Sequence, residues 1–335
     1  MALVGKQTWE FTNGVYVQST GTAVGPTEKE GPLSETFDYS FNNLHCDEEN
    51  WELAERALMR KAIQICIDKS GKNTDDIDVF LAGDLLNQNI TANFMAREIQ
   101  RPFLCLFGAC STSMETTGVA ASLIDNGYAN IALAATSSHN STAERQYRYP
   151  TEYGGQKPDT ATFTVTGSGC LLLSREVASI RVKYATIGTV QDLGIKNPFD
   201  MGSAMAPAAA YTIVQHFKDT NTMPHDYDLI VTGDLSAVGA PICRQLVKDE
   251  GYDVSKVYDD CGLLIFDREH QKVFSGGSGC GCSAVVTYGH LFQEMNRGTY
   301  KRILVVATGA LLSPTMIQQK ESIPTIAHAV VFEST

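Results

Sequence analysis

Two segments of this chain each occur twice in similar form, and this repetition restricts the possible folds more than any other sequence feature. Residues 76–85 read DIDVFLAGDL and residues 226–235 read DYDLIVTGDL, so five of the ten positions are identical. Residues 129–138 (ANIALAATSS) resemble residues 301–310 (KRILVVATGA) in the same way. Because the matches follow one another in the same order, they predict a chain built from two duplicated halves.

A third match indicates how far each half extends. Cys110 and Cys282 are both followed by serine and lie 172 residues apart, which is also the offset between the second pair of segments. Offsets that differ only by loop-sized steps are expected for duplicated domains with different loops. We therefore predict an N-terminal half at residues 1–178 and a C-terminal half at residues 179–335.

Apolar runs alternate with helical patterns within each half. Residues 79–82 and 103–107 are typical of buried strands, and the second run is too apolar to have a solvated face. Residues 51–65 have apolar side chains at helical spacing, and Asp47 is expected to cap that helix. The small residues throughout 112–126 indicate a helix buried between layers. This alternation predicts an α/β fold with parallel sheets covered by helices on both faces.

The composition excludes several classes of protein. The chain has 335 residues with 26 Lys and Arg against 38 Asp and Glu, and it lacks a basic stretch that could follow a phosphate backbone. Nucleic acid is therefore not an expected partner. No apolar run approaches the roughly 18 residues that a membrane span needs, and no secretory signal is visible. The nine cysteines lack the spacing of zinc ligands and are expected to be reduced thiols.

Cys110 lies where an apolar strand is followed by a helix. Thr112 and Glu115 match the T-x-x-E pattern of a capping box, which places the helix start just after this cysteine. A thiol at that place is close to free N–H groups and to the positive end of the helix dipole, so we expect its pKa to fall. The same place suits a bound anion. Cys110 is therefore either a functional thiol or one of several buried structural cysteines.

These features together resemble the thiolase-like condensing enzymes, and ketoacyl-acyl-carrier-protein synthase III in particular. The similarity consists of two related halves, an Ala-Cys-Ser/Thr motif at the start of a small-residue helix, and a Gly-x-Gly strand at residues 164–173 (TVTGSGCLLL). The resemblance extends over essentially the whole chain. It implies a five-layered αβαβα fold and a homodimer.

The chain departs from that family at two of its three catalytic positions. The enzymes combine an activated cysteine with a histidine and a second histidine or asparagine, which polarise the carbonyl and form an oxyanion hole. Here the two corresponding segments, residues 232–236 (TGDLS) and 279–283 (GCGCS), contain neither histidine nor asparagine. Asp234 in the first segment has the wrong charge to stabilise an oxyanion. The sequence therefore predicts the fold of a condensing enzyme without its chemistry.

Four further segments resemble the stage V sporulation protein AD family of endospore-forming bacteria. They are residues 107–116 (FGACSTSMET), 136–154 (TSSHNSTAERQYRYPTEYG), 156–169 (QKPDTATFTVTGSG) and 323–334 (IPTIAHAVVFES). The resemblance implies a non-catalytic protein of sporulation and germination that binds pyridine-2,6-dicarboxylic acid (dipicolinic acid) and takes part in its transport into the developing spore. It further implies membrane-embedded partners from the same operon, peripheral attachment at the spore inner membrane, and no cofactor.

A site for a flat dicarboxylate requires hydrogen-bond donors, cations and apolar walls for the ring. We expect Cys110 and Ser111 at the helix start to receive one carboxylate on backbone N–H groups. Ser137 and Ser138 at a strand end are expected to add hydroxyl groups. His139, which follows that strand, is either a ligand contact or a loop histidine with one local hydrogen bond.

Five more residues are candidates for the same site. His328 either replaces a lost oxyanion donor or pairs with a carboxylate, unless it is a satisfied core histidine. Asp84 and Asp234 end paired strands, so a structural role in a turn is the preferred interpretation for both. They could instead support the ligand if it arrives as a calcium chelate, because carboxylates suit that ion. Arg145 and Arg148 are candidate cations, or else solvated or dimer-contact residues.

Two other functions stay open on the sequence. One is an acyl-transferring enzyme that uses Cys110 with an unconventional base, either His328 or His139. The other is a scaffold whose former acyl pocket binds nothing. The missing histidine and asparagine favour a binding protein over an enzyme.

Overall fold

The structure is a computed structural model that describes residues 2–147 and 157–335. Its strands are β1 (Ala2–Val4), β2 (Thr8–Glu10), β3 (Tyr16–Val24), β4 (Tyr39–Ser40), β5 (Val79–Asp84), β6 (Phe103–Cys105), β7 (Ile131–Ser138), β8 (Phe163–Thr164), β9 (Gly167–Ser174), β10 (Ile180–Thr186), β11 (Leu229–Thr232), β12 (Tyr258–Asp260), β13 (Gly277–Ser278), β14 (Arg302–Ala310) and β15 (Thr325–Ser334).

The helices are α1 (Pro26–Lys29), α2 (Trp51–Ser70), α3 (Ile90–Ile99), α4 (Thr112–Asp125), α5 (Asn140–Tyr147), α6 (Met201–Thr220), α7 (Ser236–Asp249), α8 (Cys261–Leu264), α9 (Cys280–Val285), α10 (Phe292–Arg297) and α11 (Pro314–Gln318). A π-helical turn at Val286–Leu291 joins α9 to α10, so the two form one continuous helix. In the described part of the chain, no helix combines the length and the apolar character that crossing a membrane requires.

The main strands form one mixed sheet in the order β12-β11-β14-β15-β10-β3-β9-β7-β5-β6. The centre of this sheet lies between β10 and β3, and the five strands on each side of it follow the same pattern. On each side the three outer strands are parallel, and the two inner strands are antiparallel to their neighbours. The repeated order agrees with two related units, whereas the predicted purely parallel arrangement is wrong. Because β2 pairs with β10, the start of the chain joins the sheet of the second unit. The boundary after residue 178 stays a prediction.

Helices divide the molecule into five layers. Helices α2 and α3 cover the outer face of the first unit's strands, and α6 covers the second unit's strands with α7 beside it. Helix α4 contacts β5, β7 and β9 on one side and β14 and β15 on the other, with α9 packed next to it. The order helix, sheet, paired helices, sheet, helix confirms the predicted αβαβα architecture.

Apolar side chains fill the three interfaces between these layers. Leu58 lies in the outer interface of the first unit, Met114 in the central one, and Ile213 in the outer interface of the second unit. Burial of these surfaces is the main favourable contribution to folding. The central helices also touch through polar groups, since the Ser113 and Ser283 hydroxyl oxygens lie 2.6 Å apart. The prediction that residues 112–126 form a buried helix is confirmed.

Two local predictions are wrong. Helix α2 begins after Asn50, whose side chain accepts a hydrogen bond from the Leu53 N–H, because Asp47 has a left-handed backbone conformation in the preceding turn. Residues 103–107 form an edge strand and a turn, with Leu104 42% exposed and Phe107 46% exposed. An apolar run does not distinguish a central strand from an edge strand. The consequence is an apolar strip at one sheet edge.

Candidate functional site

A cleft between the two units opens at Cys110. Its lining comes from the first unit (Leu85, Ala109, Cys110, Ala143, Tyr147, Thr164) and from the second (Met201, Ser278, Ala310, Leu312). The free volume is about 410 Å³ with the solvent at its open side included. Mostly apolar walls with a few hydroxyl and thiol groups suit a small, flat ligand that carries a few polar atoms.

The backbone at Cys110 turns sharply before the central helix begins. Ala109 has a φ of 51°, which places it in the left-handed region that non-glycine residues rarely adopt. The predicted capping box is wrong, because Thr112 is already helical and its hydroxyl donates to the Ala109 carbonyl at 2.7 Å. Burial raises the pKa of Glu115 to about 7. Its Oε2 has no partner among the described residues.

The prediction that the pKa of Cys110 falls is wrong. Burial, the nearby Asp234 carboxylate and the neighbouring Cys280 thiol together raise its pKa well above the ordinary value. A helix N-terminus stabilises a nearby thiolate by at most about 2 kcal/mol, and the cost of removing the buried thiolate from water is larger than that. The thiol therefore stays protonated and is a poor nucleophile.

Asp234 lies directly behind the Cys110 thiol. Its carboxylate accepts hydrogen bonds from the hydroxyl groups of Ser278, at 2.8 Å, and Thr308. The N–H of Gly279 donates to it as well, at 3.0 Å, and the Cys110 thiol interacts with it. Burial raises the pKa of this carboxyl. Asp234 thus links three elements around the floor of the cleft, without itself lining the cleft.

Asp84 is the equivalent residue of the first unit, and its hydrogen bonds are of a different kind. Its carboxylate accepts from the backbone N–H groups of Leu86 and Ala92, each at 2.8 Å, and so caps the start of α3. Burial raises its pKa to about 7. The neighbouring Glu55 is also buried, and burial together with the Asp84 charge raises its pKa. These contacts support the structural interpretation of Asp84.

The three predicted serines are buried and lie outside the cleft lining. The hydroxyl groups of Ser111, Ser137 and Ser138 donate, respectively, to the Gly108 carbonyl at 2.6 Å, the Glu55 carboxylate at 3.0 Å and the Val165 carbonyl at 2.7 Å. Each hydroxyl therefore already donates its hydrogen within the protein. Their role as ligand contacts stays a prediction that no contact with the cleft supports.

The two predicted histidines also form hydrogen bonds within the protein. His139 Nε2 donates to the Leu44 carbonyl at 2.7 Å, and its Nδ1 accepts from the Ser141 N–H at 3.1 Å. His328 Nδ1 accepts from the Gly188 N–H at 3.1 Å. Burial lowers the pKa of both histidines to about 4, so both are neutral at physiological pH. Of the eight predicted site residues, only Cys110 lines the cleft.

Of the predicted cations, Arg145 does not line the cleft. Arg145 forms an ion pair with Glu52 and lies over the Trp51 ring at 5.3 Å. Arg148 lies outside the described residues. In the described part of the chain, no group of three or more His, Cys, Asp and Glu side chains is arranged to hold a metal ion.

Sequence reasoning missed most of the cleft walls. Met201 and Leu312 gave no signal, because an apolar residue near a pocket has the same sequence pattern as a core residue. Tyr147 lies in the aromatic segment at residues 136–154, and its hydroxyl donates to the Leu85 carbonyl. The aromatic composition of this segment was the only sequence feature that could have indicated a place in the cleft wall.

The layered arrangement, with a cysteine at the start of the central helix, defines a thiolase-like fold. Solved structures support it: 3-oxoacyl-[acyl-carrier-protein] synthase III from Aquifex aeolicus VF5 matches with a TM-score of 0.57 and 13% identity, covering 96% of this chain and all of that one. A variant of Xanthomonas campestris OleA matches with a TM-score of 0.60, 14% identity and coverage of 98% and 100%. Human mitochondrial 3-ketoacyl-CoA thiolase in complex with CoA matches with a TM-score of 0.57 and 13% identity, covering 96% of this chain and 98% of that one. At such low identity these likenesses show the fold alone.

Sequence similarity is far closer to one particular family. The family model described as Stage V sporulation protein AD (SpoVAD) matches residues 5–333. A relative from Bacillus subtilis (strain 168), Stage V sporulation protein AD, is 62% identical over 333 residues, which cover 99% of this chain and 98% of the relative. The chain belongs to the stage V sporulation protein AD family, and its role is in sporulation.

Proposed function

We propose that the protein binds pyridine-2,6-dicarboxylate in the Cys110 cleft and takes part, without catalysing a reaction, in its uptake into the developing spore. The observation that carries this proposal is a cleft at the former acyl site whose cysteine is protonated and held by a carboxylate. A dipicolinate ring is flat and carries two carboxylates. The cleft offers apolar walls and a small number of polar groups, which is the usual composition of a small-molecule site.

The contacts in the cleft suggest how the ligand would lie. The side chains of Leu85 and Leu312, from opposite units, would face the aromatic ring. Thr164 and Cys110 line the cleft with a hydroxyl and a thiol that can donate to carboxylate oxygens. The first N–H groups of the helical run that starts at Ala109 add donors, because the first N–H groups of a helix lack helical acceptors.

The same geometry disfavours acyl transfer. A nucleophilic thiol needs a depressed pKa or an adjacent base, but the pKa of Cys110 is raised, and the neighbouring Asp234 carboxylate already accepts three hydrogen bonds. His139 and His328, the alternative bases, already use ring nitrogens within the protein. An acyl adduct on Cys110 after incubation with acyl-CoA, detected by mass spectrometry, would favour an enzyme instead.

Calorimetric titration with dipicolinate tests the proposal. We expect saturable binding by the unmodified protein and much weaker binding of picolinate, which lacks one carboxylate. Cys110→Ala should weaken dipicolinate binding, because it removes a donor from the cleft floor. Cys243→Ala is the matched control, since Cys243 is buried in α7 and outside the cleft lining, and it should bind as the unmodified protein does.

Two results would count against this function. Absence of binding heat, with and without calcium, would favour a scaffold whose pocket is closed. Equal loss of affinity in the Cys110→Ala and Cys243→Ala variants would show that the effect is general destabilisation, so the ligand site would lie elsewhere.

We also propose that the protein is a homodimer, paired through the β6 edge. Leu104 and Phe107 at this edge are about half-exposed, and Phe94 on the adjacent α3 is 43% exposed. An unpaired strand edge with apolar side chains is suited to pairing with another chain. The equivalent edge strand of the second unit, β12, carries instead the partly exposed Asp259, and charged side chains on an edge strand oppose pairing. A second copy of this chain fits the apolar edge.

Membrane-embedded proteins of the same operon are the proposed partners, with peripheral attachment at the spore inner membrane. The proposal follows from membership of the sporulation family and from the transport step that dipicolinate uptake requires. Recovery of the protein with spore inner membranes, and its loss from them when those partners are deleted, would test it. Retention in the absence of the partners would contradict attachment through them.

A further inference from the structure

We propose that Asp234 is a positioning residue for Cys110 and that it takes up a proton when a dicarboxylate binds in the cleft. The inference rests on the proposed function and adds a proton to the binding step. Asp234 would thereby make the affinity of the site depend on pH.

The first step of the argument is the contact between the two side chains. In the free protein the Ser278 hydroxyl donates to the Asp234 carboxylate at 2.8 Å, and the Cys110 thiol interacts with the same carboxylate. Cys110 and Ser278 both line the cleft, so a carboxylate group of the ligand at the cleft floor would be separated from Asp234 only by these two side chains. Two like charges this close in a buried site favour protonation of one of them.

The titratable groups around Asp234 include one further carboxyl, which strengthens this effect. The Cys110 thiol faces it from the turn before α4, and the thiols of Cys280 and Cys282 face it from α9. Asp260 at the end of β12 and Cys261 at the start of α8 also interact with it. The four thiols are neutral because burial raises their pKa values, so among these groups only the Asp260 carboxylate can add a negative charge near Asp234.

Asp84 and Asp234 occupy equivalent positions in the two units, and the difference between their hydrogen bonds shows that the proposed role is specific to Asp234. Asp84 accepts from backbone N–H groups of its own loop and of α3, and these donors hold a carboxylate in place. Asp234 accepts mostly from side chains, the hydroxyl groups of Ser278 and Thr308. Hydroxyl and thiol groups can turn and accept instead of donating, so they tolerate a protonated carboxyl.

The proton balance is simple. One proton from solvent adds to a carboxylate oxygen of Asp234, which then forms a neutral O–H group, and no covalent bond of the ligand changes. The Cys110 S–H then no longer has a charged acceptor behind it and can donate to the ligand carboxylate in front of it. The complex thus keeps a single buried negative charge at this end of the cleft.

Titration calorimetry with dipicolinate in buffers of different ionisation enthalpy measures the number of protons taken up. For the unmodified protein we expect net uptake once the pH exceeds the raised Asp234 pKa of the free protein, and an affinity that then falls by at most about tenfold per pH unit, the limit for one linked proton. Asp234→Asn is neutral at every pH, so it should bind without proton uptake and with a flat pH profile. Glu28→Gln, a neutral replacement of a buried acid outside the cleft lining, should keep the uptake.

A second variant keeps the test decisive if Asp234→Asn does not fold. Thr308→Val removes a hydroxyl that stabilises the Asp234 carboxylate, so the proton should already be bound in the free protein over a wider pH range. The fall in affinity should then begin at higher pH. Dipicolinate binding with no proton uptake, or uptake that persists in Asp234→Asn, would overturn the inference and leave the proposed function standing. Absence of binding at every pH would refute both.

Discussion

Replacement of Glu28 by glutamine should change how the stability of this protein depends on pH. Glu28 on α1 is fully buried, and its Oε1 accepts from the Thr166 N–H at 2.9 Å. The other carboxyl oxygen, Oε2, has no partner among the described residues. A buried carboxyl with one free oxygen is much easier to keep protonated than ionised.

The magnitude follows from the pKa. Burial raises the pKa of Glu28 from 4.5 to about 7, a difference worth about 3.4 kcal/mol at the rate of about 1.4 kcal/mol per unit. Below pH 4.5 the group is protonated in both the folded and the unfolded state, and its contribution is complete. As the pH rises through 7 that contribution is lost, and about 2.5 kcal/mol of the loss falls between pH 5 and pH 8. The glutamine of the variant does not titrate, so the variant should lose none of it.

Urea unfolding of both proteins at pH 5 and pH 8 measures the effect. All other titrating groups are shared, so they cancel in the difference between the two free energies of unfolding. We expect that difference to move by about 2.5 kcal/mol in favour of glutamine between the two pH values. Glu30→Gln, an exposed neighbour of Glu28, should show almost no change. Parallel pH profiles for the unmodified protein and Glu28→Gln would refute the reasoning.

Three further predictions concern the thiols, the sheet edge and the packing between the units. Brief treatment with iodoacetamide at pH 8 should alkylate the exposed Cys105 well before the buried Cys110, and peptide mass spectrometry showing the reverse order would contradict the raised pKa of Cys110. Leu104→Glu places a charge in the proposed dimer interface and should yield monomers in size-exclusion chromatography with light scattering. A monomeric unmodified protein would rule out that interface. Gly281→Ala would bring a Cβ to 2.4 Å from the Gly167 carbonyl oxygen, so it should lower the free energy of unfolding by about 1–3 kcal/mol. An unchanged urea midpoint would show that the two units pack less tightly at this point than the structure indicates.

The architecture could be predicted because the same sequence pattern occurs in both halves of the chain. The apolar runs at residues 79–82 and 131–135 became the adjacent strands β5 and β7, and the equivalent segments of the second half became β11 and β14. Their place at the edge or centre of the sheet could not be predicted, since that depends on strand order. Leu104 and Phe107 illustrate this limit: their apolar side chains are partly exposed although the run is as apolar as a central strand.

The site was only partly predictable for a related reason. The local sequence correctly places Cys110 just before a helix, but the ionisation of its thiol depends on Asp234, which the other unit supplies. Local signals describe the helix end, whereas burial and a neighbouring carboxylate determine the pKa. His139 likewise follows a strand as the sequence indicates, yet its ring bonds to Leu44, in a segment that no local pattern connects to it.

At one of the two positions where the sequence departs from the condensing enzymes, the change is electrostatic. A histidine next to the cysteine would favour a thiolate and could donate to an oxyanion, so both steps of acyl transfer would gain. Asp234 favours the protonated thiol and opposes a second negative charge, so both steps lose. The same carboxyl nevertheless keeps the cleft floor ordered through its contacts with Ser278 and Thr308. Under the proposed proton uptake, the affinity of such a site for a dicarboxylate falls as the pH rises, because the proton that binding would require becomes scarce.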